Sequence, residues 1–283
     1  MAAWLTAELS VVGSLERAHR LRTLCPVSGA TDEDYLARVV ELPGGARSLL
    51  QIRFKGGDAK RPFVQWVASD APIHGSTELV SLAAQAMDSF AALRPFSMRI
   101  WIPSGAPWEP AGAHPGCTRG DRWLAAPVQS MSDPGTVRVV AISADEIFPR
   151  YESEYRAYLA SHPQAEEWIR AESAESLRNC QEQGGLFALR EGDAVRGLVA
   201  LRRQSGPWFT GWHVVESLIF DGSRGRGLAA PMHQAAYVQL ESAPGDVIWG
   251  TIDPRNGASL ATALAVGRVD IGGDWWIDGK NVT

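Results

Sequence analysis

The chain has 283 residues, of which 45% are hydrophobic and 21% are charged, with 27 Lys and Arg against 32 Asp and Glu. This length and apolar content allow two ordinary domains, each with a core of its own. A formal net charge of −5 argues against nucleic acid as a general partner, because phosphate backbones require a basic surface.

Targeting and metal-binding signals are missing from the sequence. Cys25, Cys117 and Cys180 lie far apart without metal-ligand spacing, so we expect reduced thiols and no bound metal. The first residues lack a basic segment before an apolar core, and no apolar run approaches the length that crosses a membrane. These features predict a cytoplasmic protein with no membrane partner.

In the first half of the chain, residues 4–24 show a strand-then-helix pattern, and residues 63–105 follow with strand, turn, helix and strand. The turn at residues 73–77 contains a single glycine. Residues 131–135, Met-Ser-Asp-Pro-Gly, carry a turn-forming Asp-Pro-Gly and predict a linker.

The second half repeats this order and extends it. Strand-then-helix is predicted over residues 136–159, hairpin turns at 191–193 and 205–207, and a strand rich in β-branched and aromatic residues over 212–220. A helix from residue 228 then leads to a strand at 246–253, which must lie parallel to the strand before the helix. A helix capped by Asn256 and a last strand over 269–277 complete an α+β pattern.

Residues 221–227, which we call the glycine turn, connect the strand at 212–220 to the next helix. Glycine allows close backbone approach, and the free N–H groups of a helix start attract anions, so this turn predicts a phosphate site. No Lys-Ser or Lys-Thr follows, which disfavours the phosphate loop of nucleoside triphosphatases. The spacing of Gly225, Gly227 and Ala230 permits a dinucleotide fold, but the antiparallel hairpins before it do not suit the parallel sheet of that fold.

Arg224 to Ala229 read R-G-R-G-L-A and match the pyrophosphate signature [RQ]-x-x-G-x-[GA] of the GNAT superfamily of acyl-CoA-dependent N-acyltransferases. Asn256, Ser259 and Gly267 fit the pattern of the following helix, so the second half of the chain resembles this superfamily. The resemblance implies acetyl-CoA as cosubstrate. The cofactor-binding residues that it implies are Ser217, Leu218, Ile219, Phe220, Arg224, Gly225, Arg226, Gly227, Leu228, Ala229 and Asn256.

The resemblance also assigns roles to these residues. Backbone amides of residues 226–229 would bind the pyrophosphate, with added charge from Arg224 and Arg226, while the strand at 217–220 would pair with the pantetheine arm. Asn256 would contact the same arm, although a helix N-cap explains it equally well. Four further arginines are solvated surface charges or contacts to the adenosine 3′-phosphate, namely Arg202, Arg203, Arg255 and Arg268.

Attack of an amine on a thioester needs a base and an acid. His213 occupies the position where some relatives carry a glutamate base, and an unperturbed imidazole pKa near 6.5 suits the task. A structural histidine is the alternative, and Glu216 is the second candidate base. Period-two alternation places His213 and Ser217 on one face of the strand and Glu216 on the other. The acid is open, because Ala263 stands where many family members have a tyrosine, and Tyr237 is expected to pack in the core.

The matching order of elements predicts two tandem GNAT-like domains of the α+β class, each a mixed, mostly antiparallel sheet flanked by helices. We assign residues 1–131 to a degenerate copy and residues 136–283 to an acetyl-CoA-binding copy. The first copy lacks the glycines of the second turn, so we expect it to have lost CoA binding. The alternative is one large domain with an N-terminal elaboration.

The predicted function is transfer of an acetyl group from acetyl-CoA to a primary amine of a small molecule by direct attack. Residues 143–183 hold nine acidic and four basic residues, which would attract a cationic amine, although solvated helix faces also explain such a run. A non-catalytic acyl-CoA-binding or sensing protein is the alternative, favoured by the missing tyrosine. The sequence leaves the oligomeric state open.

Overall fold

A computed structural model describes residues 2–41, 45, 47–70, 73, 75–107, 109–110, 115–131, 137–206 and 208–279. In these residues the helices are α1 (Ala2–Leu9), α2 (Leu15–Leu24), α3 (Ser76–Asp88), α4 (Ala144–Ser161), α5 (Ala174–Glu182), α6 (Ala229–Tyr237) and α7 (Gly257–Ala265). The strands are β1 (Arg38–Glu41), β2 (Arg47–Phe54), β3 (Pro62–Ser69), β4 (Met98–Pro103), β5 (Cys117–Pro127), β6 (Arg138–Ala141), β7 (Leu186–Glu191), β8 (Ala194–Arg203), β9 (Gly211–Ile219), β10 (Val247–Ile252) and β11 (Val269–Ile277).

The chain divides into two compact units. The first unit is Met1–Asp121 with Gly272–Thr283, and the second is Arg122–Ile271. The division therefore passes through β5 and β11. It differs from the predicted boundary at residues 131–136, because Asp-Pro-Gly marks a turn but nothing local in the sequence shows which sheet a strand joins. Residues 132–135 of the predicted linker lie outside the described part of the chain.

In the first unit the sheet order is β1-β2-β3-β4, followed by residues 272–277 of β11. Strands β3 and β4 run parallel, and α3 connects them. Leu79 and Ala83, one turn apart on α3, are fully buried and pack in one cluster with Leu50 and Trp66 of the sheet. An apolar stripe at helical spacing thus fixes α3 on its sheet.

The predicted strand within residues 4–24 is wrong. The chain forms α1 and α2 there, and Val12 makes only an isolated bridge with Ala37. Ala, Leu and Glu between residues 4 and 9 favour a helix, and the β-branched pair Val11 and Val12 is too short to override them.

In the second unit the sheet order is β6-β7-β8-β9-β10, followed by residues 122–127 of β5. The parallel pair β9–β10 is joined by α6, and the neighbouring pairs are antiparallel. The predicted hairpins, crossover and terminal strand are therefore confirmed, with β9 at Gly211–Ile219 for the predicted 212–220. One face of the sheet packs against α6, and the other packs against α4 and α5.

The two units share an irregular feature that identifies them as tandem copies. In the first, the parallel ladder is Val64–Met98 and Gln65–Arg99, and a β-bulge in β3 follows at Val67. In the second, the ladder ends at His213–Trp249, and a β-bulge in β9 follows at Val215. In both units the bulged residue is the second one after the last parallel pair, so the predicted tandem arrangement is confirmed.

Within the described ranges, no helix combines the length and apolar content required to span a bilayer.

Candidate active site

The parallel strands β9 and β10 separate along their length. Their ladder covers only residues 211–213 and 247–249, so residues 214–219 of β9 and 250–252 of β10 face a gap that we call the strand fork. Unpaired strand edges offer N–H and C=O groups to an extended ligand. Three predicted pantetheine-binding residues, Ser217, Leu218 and Ile219, lie on this edge, and Phe220 behind them is fully buried.

The bulge at Val215 changes which side chains share a face. Glu216 pairs with Ala200 and Val214 pairs with Leu201, leaving Val215 as the extra residue. The predicted alternation is therefore wrong beyond Val214. Glu216 contacts Tyr151 on the α4 side of the sheet, whereas Ser217 contacts His233 of α6 on the opposite side.

Glu216 is half-buried and is held by two hydrogen bonds. Tyr151 Oη donates to Glu216 Oε2 at 2.6 Å, and the Ser217 backbone N–H donates to Oε1 at 2.7 Å. The Glu172 backbone N–H in turn donates to Tyr151 Oη at 2.7 Å. Burial raises the pKa of Glu216 to about 7, and the Glu172 charge adds to the rise, although both hydrogen bonds oppose it. A carboxyl that titrates near neutral pH is suited to proton transfer.

His213 sits at the closed end of the strand fork with its ring centroid 4.2 Å from that of Trp249. Its Nδ1 is buried without a hydrogen-bond partner. Burial, together with the charges of Arg202 and Arg268, lowers the pKa of His213 to about 4. The imidazole is therefore neutral at pH 7 and a weaker base than Glu216.

Aromatic rings surround His213. Trp249 stacks on Trp123 at 5.4 Å between centroids and meets Phe209 edge-on at 5.4 Å. Trp208 packs edge-on against Trp123 at 6.1 Å and is partly exposed. Trp212, in contrast, belongs to the core against α6. These rings form an apolar wall on which an acceptor molecule can pack.

The glycine turn has the backbone conformation that its sequence predicts. Gly222, Gly225 and Gly227 have φ of 74°, 73° and 71°, which an L residue adopts only with strain. Leu228 caps α6 without a side-chain hydrogen bond, so the N–H groups that begin this nine-residue helix have no side-chain acceptor at the cap. The positive backbone end and the open turn fit the anionic pyrophosphate of CoA.

The two arginines of the glycine turn have partners in the folded chain. Arg224 Nε donates to the Ile219 carbonyl oxygen at 3.0 Å, and its guanidinium lies over the Tyr158 ring. Arg226 forms an exposed, two-pronged ion pair with Glu191 at 2.6 and 3.1 Å. Arg224 thus ties the turn to the open end of the strand fork, and Arg226 ties it to β7.

Asn256 and Ala263 lie on α7. Asn256 Oδ1 accepts the Ser259 N–H at 3.2 Å, so the N-cap role is confirmed. Ala263 is fully buried in a small apolar cluster with Leu124, Ile252 and Leu260. This position therefore supplies no proton donor.

Sequence reasoning missed several polar groups near the strand fork. Tyr237 packs in the core as predicted, but its hydroxyl also meets His233 Nδ1 at 2.7 Å, and His233 Nε2 meets Ser217 Oγ at 2.7 Å. Burial lowers the pKa of His233 to about 3, so this imidazole is neutral. Tyr151 was also missed, although the spacing of Tyr151, Tyr155 and Tyr158 at i, i+4 and i+7 on one helix face was a usable signal.

Among the residues that the structure describes, no group of three or more His, Cys, Asp or Glu side chains is placed to hold a metal ion.

Comparison with known proteins identifies the fold. The chain matches an acetyltransferase from the GNAT family from Colwellia psychrerythraea with a TM-score of 0.51 at 11% identity, covering 82% of this chain and 80% of that one. GCN5-related N-acetyltransferases from Sphaerobacter thermophilus (TM-score 0.49, 13% identity, 95% and 94% covered) and Kribbella flavida (0.49, 14%, 94% and 96%) are also similar. No protein-family model and no curated protein matches the sequence. The fold is that of a GNAT-family acetyltransferase.

Proposed function

We propose that the second unit transfers an acyl group from a CoA thioester, of which acetyl-CoA is the simplest, to the primary amine of a small molecule. The main support for this proposal is the position and the raised pKa of the Glu216 carboxyl group. A half-buried carboxyl with a pKa of about 7 stands beside a strand fork whose open end leads to the glycine turn. The candidate base Glu216, the strand fork and the glycine turn follow one another along β9, in the order of the acyl group, the pantetheine arm and the pyrophosphate of a CoA thioester.

The chain offers matching groups along the whole thioester. Backbone amides of residues 226–229 would hold the pyrophosphate, and the free edge of β9 at residues 217–219 would hydrogen-bond the pantetheine arm, with Asn256 beside it. The acyl end would then reach the closed end of the strand fork near His213. Holding the thioester in one extended pose converts the attack into an effectively unimolecular step.

Glu216 performs both proton transfers in this proposal. Its carboxylate takes a proton from the amine as the nitrogen attacks the thioester carbonyl carbon. The C–N bond forms, the C–S bond breaks with its electron pair going to sulfur, and the same proton passes from Glu216 to the sulfur to give the thiol. Tyr151 and the Ser217 N–H fix the orientation of the carboxyl group. A pKa of about 7 suits both directions, and no hydroxyl at residue 263 is needed.

The acceptor is a cationic amine on an apolar body. Glu172 lies close enough to raise the pKa values of both Glu216 and Tyr155 by its charge, so it places a negative charge on the α4 side of the strand fork. Trp249 and its neighbouring rings supply the apolar wall. An ammonium ion would be drawn to this side, and it would release one proton to solvent before the neutral amine attacks.

A non-catalytic acyl-CoA sensor is the second candidate, because Ala263 replaces the usual tyrosine. Thiol release from acetyl-CoA in the presence of a panel of primary amines separates the two. We expect steady release with at least one amine and its loss in Glu216→Gln. Binding of acetyl-CoA without thiol release for any amine would favour the sensor.

A further inference from the structure

Arg268 lies at the closed end of the strand fork. The residue follows α7, and its Nη1 is 3.0 Å from the point that a Cβ on Gly250 would occupy. Val214 Cβ is 3.6 Å from that same point. Val214 and Gly250 are the first residues of β9 and β10 after their last pair, so the guanidinium stands where the two strands part. Glycine at residue 250 leaves the room that this group occupies.

The Arg268 side chain is a buried charge without a counter-charge. The residue is 3% exposed, which corrects the prediction of a surface arginine, and its Nε has no hydrogen-bond partner. No ion pair to Arg268 is found among the described residues, and the nearby Asp270 pairs with Arg122 instead. Guanidinium stays protonated in proteins, and an unpaired buried charge is costly. Such a group is expected where a ligand brings the missing anion.

The groups around Arg268 are polar but uncharged. Burial and the Arg268 charge together lower the pKa values of His213 and His233, so both imidazoles are neutral at pH 7. Burial raises the pKa of Tyr237, and the Arg268 charge opposes that rise. His233 and Tyr237 are joined to Ser217 of β9 by the hydrogen-bonded chain described above. These neutral groups give Arg268 no counter-charge.

Resting on the proposed function, we propose that the acyl group delivered to this site carries a terminal carboxylate, which Arg268 binds. The preferred donor is then a dicarboxylic acyl thioester of CoA. The phosphates of CoA are not the anion, because they would lie at the glycine turn. Residues 214–219 of β9 separate that turn from Arg268 by about 17 Å at the usual rise of a strand. The acyl end is the part of the donor that reaches the closed end of the strand fork.

The test uses two pairs of thioesters matched in chain length, malonyl-CoA with propionyl-CoA and succinyl-CoA with butyryl-CoA. Calorimetric titration of the full-length protein should show at least one carboxylated member binding about tenfold or more tightly than its partner. Arg268→Met should remove this preference while changing the affinity for the uncharged member by no more than about threefold. Arg202→Met removes another cation that acts on His213, and it should leave the preference intact.

Equal binding within both pairs, or a preference that survives Arg268→Met, would overturn the carboxylate assignment. If Arg268→Met does not fold, the comparison within the wild-type protein decides by itself. Unacylated CoA separates this inference from the proposed function. Binding of CoA with no preference between paired thioesters would contradict only the carboxylate assignment. Failure of CoA and of every thioester to bind would contradict the proposed function as well.

Discussion

At the level of single residues, the proposed chemistry depends on Glu216 being a carboxyl whose charged form is disfavoured in the folded protein. Its two hydrogen bonds, from Tyr151 and the Ser217 N–H, stabilise the carboxylate, yet burial outweighs them and the pKa rises to about 7. The same burial acts on His213 in the opposite sense, because the charged form of histidine is the protonated one.

Replacing Glu216 with Gln should lower kcat by about 100-fold or more, the scale of a lost general base. In the wild type, kcat/KM should rise with pH through about 7, because the base must be unprotonated to accept the proton of the amine. Thiol release measured from pH 5.5 to 9 with one amine checks both results.

His213→Ala is the matched control on the same strand. With a pKa of about 4, His213 is already neutral over this range, so its removal should leave the midpoint near pH 7 in place. A midpoint that survives in Glu216→Gln but disappears in His213→Ala would return the role of base to the histidine.

The same pKa shift predicts a stability effect. A carboxyl titrates near 4.3 in an unfolded chain and near 7 here, so between these values the folded state binds more protons than the unfolded state. Stability from this group is therefore lost as pH rises. Glu216→Gln should melt at a higher temperature than the wild type at pH 8, and the difference should shrink toward pH 5. Equal melting temperatures at pH 8 would mean that the carboxylate is well solvated.

The sequence predicts a residue of the candidate site only where that residue belongs to a local motif. The glycine turn, Asn256 and the two candidate bases follow from short patterns. Tyr151 comes from α4 and Arg268 from the segment between α7 and β11, and only the packed fold brings them to the strand fork. Arg268 looked like a surface charge because sequence alone does not show burial.

At the scale of elements, the glycine turn and the strand fork act together as a ligand slot. Gly227→Glu should abolish the rise in melting temperature that acetyl-CoA gives the wild type, because it places bulk and negative charge where phosphate must approach. Positive φ also makes the substitution strained, so stability without ligand should fall.

Gly245→Glu controls for that strain. Gly245 has φ of 87° and open space around it, as Gly227 does, but it lies in the turn before β10 rather than at α6. This variant should lose stability in a similar way and keep the acetyl-CoA shift. Loss of the shift in both variants would show that strain, rather than the turn, controls binding.

The order and type of the elements in the second unit could be predicted because hairpin turns and a glycine-punctuated crossover leave strong local signals. The bulge at Val215 could not, since it depends on how β9 registers against β8. That one extra residue reverses the face of every side chain after it. Strict alternation from Trp212, which packs against α6, would place Glu216 on the α6 side and Ser217 on the α4 side, the reverse of what the structure shows.

Across the whole molecule, the two copies differ at the residues of the proposed chemistry. Ala68 follows the bulge of β3 in the position that Glu216 holds after the bulge of β9. The first copy thus repeats the fold without the candidate base and without the glycines of the turn. Its architecture is retained, and we expect its acyl transfer to be absent.

The division of the chain predicts how fragments behave. A fragment of residues 136–283 lacks residues 122–127, which pair with β10, and it keeps residues 272–277, which belong to the first unit. A fragment of residues 122–271 should therefore unfold cooperatively on heating, whereas 136–283 should expose an unpaired strand edge and aggregate. Circular dichroism melts and size-exclusion chromatography check this. A well-folded 136–283 fragment would restore the boundary that the linker motif predicted.

We expect each chain to carry one CoA site, formed by the glycine turn of the second copy. Calorimetric titration of the full-length protein with CoA counts the sites. We predict one site per chain, lost in Gly227→Glu and kept in Gly245→Glu. Two sites would show that the first copy still binds CoA, and no binding at all would contradict the account.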